Sequence, residues 1–154
     1  MVKRDVLVSH VENLLKHITG NPEPERDSDG DWPFTTDRAV MYVRVAGDTG
    51  PHVSVWATAV RNVPECEKAY LEINELNKSI RFAHAYLNSG TLVFASEMVG
   101  ETLDLEELKN ALDNLASAAD YFAPKFVEDC GGETLRTPEN EEPSTTTPSA
   151  SGYL

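Results

Sequence analysis

The chain has 154 residues, a length that fits one domain, and its 13 basic against 26 acidic side chains leave a net charge of −13. Nucleic-acid affinity rests on lysine and arginine neutralising phosphates, and adhesion to anionic lipid needs the same charges, so this composition argues against both partners. No apolar run approaches the ~18 residues that cross a bilayer, no secretory leader is visible behind Met1-Val2-Lys3-Arg4-Asp5, and Cys66 and Cys130 are too few for a disulfide framework; the expectation is a cytoplasmic protein with reduced thiols.

Leu7, Val11, Leu14, Leu15 and Ile18 recur three and four apart, which predicts a helix over 3–19 with one apolar face, ended by Gly20-Asn21-Pro22. Residues 21–31 are polar and acidic, a loop by composition. Trp32-Pro33-Phe34 opens a short strand, where proline suits an edge. The next strand spans Val40–Ala46, with Met41, Val43 and Val45 on one face and Val40, Tyr42 and Arg44 on the other. After the turn Gly47-Asp48-Thr49-Gly50-Pro51 its antiparallel partner runs His52–Val60. Val53, Val55, Ala57 and Ala59 make a small apolar face there, and Ser54, Trp56 and Thr58 the opposite one.

A second helix is expected over 64–78, with Pro64 at its first position and Cys66, Ala69, Tyr70, Ile73 and Leu76 as its apolar stripe. A second hairpin follows: Arg81–Leu87, the turn Asn88-Ser89-Gly90, then Thr91–Val99. The last helix opens at Asp104, with Glu107 three residues on as a capping pair. Its stripe is Leu105, Leu108, Leu112, Leu115, Ala119, Phe122 and Phe126, which packs on its own sheet or on another copy; Pro124 is expected to kink or break it. Gly131-Gly132 ends this helix, and residues 133–154, rich in Thr, Pro, Ser and Glu, are expected to form a disordered tail outside a folded domain of residues 1–132. The tail has one arginine against four glutamates, so −10 of the −13 belongs to residues 1–132. The order α-β-β-β-α-β-β-α defines an α+β fold, a five-stranded antiparallel sheet with helices on one face and the other face less covered.

Catalytic and metal motifs do not emerge. Asp27, Asp29 and Asp31 alternate around Gly30, yet counting from Asp27 an EF-hand loop needs glycine where Trp32 stands and glutamate where Arg38 stands, so a solvated acidic turn is the better reading. His10 and His17 are about 10 Å apart along their helix, too far to share a metal, and His52 and His84 are isolated on strands. Cys66 on its stripe reads as a small core residue, and Cys130 has no neighbouring base. The expectation is a non-enzyme without cofactor or metal. If the apolar strand face meets the helices, Tyr42, Arg44, Ser54, Trp56, Thr58 and Tyr86 line the open face as an aromatic patch suited to anchoring a protein partner. The other reading has a helix or the N-terminal loop covering Trp56.

The order of elements, with Asp29-Gly30-Asp31-Trp32 before the first strand, Leu71-Glu72-Ile73-Asn74-Glu75-Leu76-Asn77 in the middle helix and a terminal helix closing on Gly131-Gly132, resembles the YbjN-like proteins, which look like type III secretion chaperones in fold. The resemblance covers residues 1 to about 132. It implies a non-enzymatic protein that binds an extended or partly folded polypeptide, as a homodimer; bacterial members are called sensory transduction regulators. It carries over no catalytic residue, and Asp31, Trp32, Asn74 and Asn77 only as motif positions with structural roles, Asn77 within reach of the start of the next strand. The acidic surface favours a basic client. The alternative from a different class is a regulatory module sensing a small ligand.

Overall fold

The computed structural model describes residues 1–36 and 39–135; the expected tail beyond Leu135 lies outside the described residues. Elements follow in the order α1 (Arg4–Thr19), β1 (Trp32–Thr35), β2 (Val40–Ala46), β3 (His52–Arg61), α2 (Glu67–Ser79), β4 (His84–Asn88), β5 (Thr91–Val99), α3 (Leu105–Cys130) and β6 (Glu133–Thr134). The strands form one antiparallel sheet in the order β1-β2-β3-β5-β4, with β6 added to β3.

Period-two alternation sorts the strands into two faces. Met41, Val43, Val53, Val55, Ala57 and Phe94 are fully buried, and all three helices cover that side. α3 lies across β3 and β5, α1 flanks it over β2, and α2 flanks it over β4. α1 contributes Leu7, Val11 and Leu15, and α3 contributes Leu108, Leu112, Leu115, Ala119, Ala123 and Phe126. The α3 stripe therefore faces its own sheet. Each large aliphatic or aromatic side chain buried this way contributes roughly 1.5–3 kcal/mol.

Local chemistry sets the element ends. The Asp104 carboxylate accepts the Glu107 amide at 2.8 Å and caps α3. The β4–β5 hairpin turns on Ser89 and Gly90, both at positive φ (49° and 75°), the twist that a two-residue antiparallel turn demands. Asn88 thus belongs to the strand and not to the turn.

Several expectations change. α2 begins at Glu67, not Pro64, with Cys66 in extended conformation as its N-cap. Cys66 is therefore exposed and not a core residue. Tyr70 is also exposed, because it sits one residue, about 100° of rotation, past Ala69, and the buried stripe is Ala69, Ile73 and Leu76. α3 runs on through Pro124 as a single helix. Burial of Ala119, Ala123 and Phe126 on both sides of the proline holds it together against the lost hydrogen bond. Glu133 and Thr134, assigned above to the tail, form β6 opposite Arg61 and Val60, and the Leu135 amide donates to the Ala59 carbonyl at 3.1 Å. Gly132 (φ +92°) makes the return possible: a Cβ there would lie 2.8 Å from the Arg61 carbonyl oxygen.

Candidate functional site

The face of the sheet away from the helices carries the candidate residues. Register places Pro33, Tyr42, Trp56, Ala95 and His84 side by side on one row. Arg44, Ser54 and Glu97 form the row on one side of it, and Val40, Thr58, Val93 and Tyr86 the row on the other. Trp56 is half-buried by its neighbours: Tyr42 stacks on it with centroids 5.2 Å apart, and the Arg44 guanidinium lies 5.0 Å from its ring centre. His84 and Tyr86 stack at 5.6 Å on β4.

Arg44 is fixed from below. Its Nε and Nη2 donate to the two oxygens of Asp31 at 2.7 and 2.5 Å, a bidentate pair whose carboxylate is buried while the arginine is half in solvent. The hydrogen bond to Asp31 holds the Arg44 guanidinium even more firmly protonated than usual, outweighing the cost of burial, and the charges of Asp31, Asp29 and Asp27 add to it. The loop beneath is itself folded. Asp27 accepts the amides of Asp29 and Asp31 through Oδ1, at 2.9 and 3.0 Å, and its own amide donates to the Asp31 carbonyl. Asp27 and Asp31 thus spend their carboxylates on the chain. Trp32, next along, points to the opposite face, buried beside Val43, with the Arg26 guanidinium over its ring at 5.5 Å.

Arg44, Ser54, Trp56 and Tyr86 gather around an open depression of about 380 Å³. Tyr42 backs Trp56 from outside it, and the Thr58 hydroxyl donates to the Val40 carbonyl at 3.1 Å, one row away. Its further members include Glu97, which went unnamed in the sequence reading, and His84, which was read there only as a histidine isolated on a strand, although alternation from Tyr86 and from the next strand points to both. Of the motif positions on α2, Asn77 binds the backbone of Ala85 with both ends of its amide: Nδ2 donates to the carbonyl at 3.0 Å and Oδ1 accepts the amide at 2.7 Å. Asn74 is on the solvent side of the same helix.

The face has a π surface, a fixed cation and hydroxyl and imidazole groups, a chemistry suited to contact. Burial, with Glu72 adding to it, pushes the Cys130 thiol above its usual range, which disfavours the nucleophilic thiolate. Among the described residues no three His, Cys, Asp or Glu side chains are arranged to hold a metal, and no helix is long and apolar enough to cross a membrane.

This antiparallel sheet with its helices packed on one side is similar in fold to solved type III secretion proteins in complex. The chain belongs to the family described as T3SS (YopN, CesT) and YbjN peptide-binding chaperone 1, whose model matches residues 5–138. Among solved structures, that of the ExsC–ExsE complex superposes with a TM-score of 0.63 at 18% identity, covering 77% of this chain and 94% of that one. The heterodimeric ExoU–SpcU complex from the type III secretion system of Pseudomonas aeruginosa gives a TM-score of 0.54 at 15% identity, covering 78% and 97%. No curated protein sequence matches the chain.

Proposed function

We propose that this protein is a non-enzymatic peptide-binding chaperone or adaptor of the cytoplasm that takes an extended polypeptide client on the open sheet face. The observation that carries the reading is the Tyr42–Trp56–Arg44 stack, an aromatic and cationic surface left uncovered by the protein's own helices. The family is one of peptide-binding chaperones, and both solved neighbours are complexes of two proteins, which supports a polypeptide as the ligand. Tyr42, Arg44, Ser54, Trp56, Thr58 and Tyr86 are the contact residues in this reading. Asp31, Trp32 and Asn77 hold the scaffold, and Asn74 is a motif position without a contact role. The regulatory role implied by the family resemblance acts through the client.

The same reading includes a homodimer, for which Tyr70 and Leu71 on α2 and Tyr121 on α3 offer exposed apolar surface. Sedimentation velocity then gives about twice the chain mass of 17.0 kDa. For the client face, the full chain is applied to an array of immobilised extended peptides, and the strongest binder is titrated against labelled protein by NMR. The expected shifts fall on the outward residues of β2 and β3, and Trp56→Ser weakens that peptide about tenfold. An array with no bound peptide, or a binder indifferent to Trp56→Ser, rejects the reading.

A further inference from the structure

Away from the aromatic face, β5 outruns its outer neighbour. β4 pairs with it only over Thr91–Ala95, so Ser96–Val99 have β3 on one side and, among the described residues, no strand on the other. The two-residue turn makes Asn88 and Thr91 a hydrogen-bonded pair, and alternation carries that outward-bonding role along β5 to Glu97. The departure occurs at Phe82, whose φ of +58° turns the chain away from the sheet while the Ser96 hydroxyl donates to its carbonyl at 2.9 Å.

Phe82 is costly twice over. A bulky residue in the left-handed region holds backbone strain. Its ring is also 87% exposed, the most exposed large apolar side chain among the described residues. Beside it runs a groove of about 700 Å³ between the bare edge of β5 and the first half of α3. Phe82 and Met98 give it apolar lining, Asp104, Glu106 and Glu107 give it three carboxylates, and Glu97, whose side chain shares the open face with Ser54, borders it at the edge of β5. No lysine or arginine lines it; Arg81, beside Phe82 in the chain, is outside the lining.

We propose that this groove docks an extended segment rich in lysine or arginine, which adds to the free edge of β5 as a strand, covers the Phe82 ring and sets its cations among the carboxylates of Asp104, Glu106 and Glu107. Main-chain pairing supplies affinity in such strand addition, and the alternate side chains that look into the groove supply selectivity. The proposal rests on the peptide-binding reading above and adds to it a second surface and the charge of the ligand. A second copy of this chain is a poor occupant, because its net −13 meets carboxylates.

The test is fluorescence anisotropy of the full chain with two labelled peptides, one alternating lysine and valine, the other glutamate and valine. The lysine peptide binds, about fivefold more weakly as salt rises from roughly 50 to 300 mM, and the glutamate peptide does not. Phe82→Gly removes the ring and suits the left-handed backbone, so the melting temperature is kept or raised while affinity falls about tenfold. The pair Glu106→Gln and Glu107→Gln weakens binding and flattens the salt response. A lysine peptide that fails to bind, or that binds Phe82→Gly as well as the parent chain, overturns the proposal. So does a loss confined to Trp56→Ser, which moves the cationic segment to the aromatic face. A halved sedimenting mass in Phe82→Gly assigns the groove to a second copy and also overturns it. If array peptides still depend on Trp56 while the lysine peptide does not bind, this groove fails and the client face stands.

Discussion

From Val53 to Thr58 the same strand builds two different surfaces. Val53, Val55 and Ala57 are sealed under α3 and its flanking helices, while Ser54, Trp56 and Thr58 are half-open and lean on one another across the rows. The sealed side draws its energy from area removed from water, and any loss of volume there leaves a cavity. The open side draws its order from stacking and from one ion pair. Its side chains are worth little to the isolated fold and are free to be worth more to a complex. In the proposed reading, stability and binding are thus separated by the two-residue period of one strand.

The largest effect that tests this separation comes from the sealed side. Phe94→Ala, directly across from Ala57, costs about 3–5 kcal/mol in urea unfolding, whereas Trp56→Ala on the adjacent row costs about 1 kcal/mol. Equal losses at the two positions break the comparison. The next effect comes from the ion pair. Arg44→Ala leaves the Asp31 carboxylate buried without its cation and costs about 2 kcal/mol, at the low end for a buried pair because Arg44 is half in solvent. Adding Asp31→Asn removes the stranded charge and recovers part of that loss, which a double-mutant cycle reads directly. The smallest effect concerns the chain end. A chain stopped after Leu135 unfolds like the full one, and a chain stopped after Gly132 loses about 1 kcal/mol with the β6 pairing.

The strand faces and the order of the elements were legible because alternation is a strong local signal, and β2 and β3 fall on the residues where that alternation occurs. β6 was not, since Glu133 and Thr134 have no apolar pattern and join the sheet through backbone groups and one exposed Arg61–Glu133 ion pair, steered there by two left-handed glycines. The start of α2 was misread because proline fits a first turn in general, while here Cys66 takes the cap. The Arg44–Asp31 pair joins residues 13 apart in the chain and follows from no periodicity. The groove was least visible of all: it exists because β4 stops at His84, and the reason is one backbone angle at Phe82.

The Asn77 amide leads to a different consequence. By taking both the amide and the carbonyl of Ala85, it fills one of the outward-facing positions of β4 where a further ladder could form. Exposed outer strands invite uncontrolled self-association, and a side chain that mimics one residue of a neighbouring strand blunts that hazard without adding a strand. A strand joining β4 from outside would first have to displace the Asn77 side chain from Ala85, whereas the edge of β5 beyond Ala95 has no such plug.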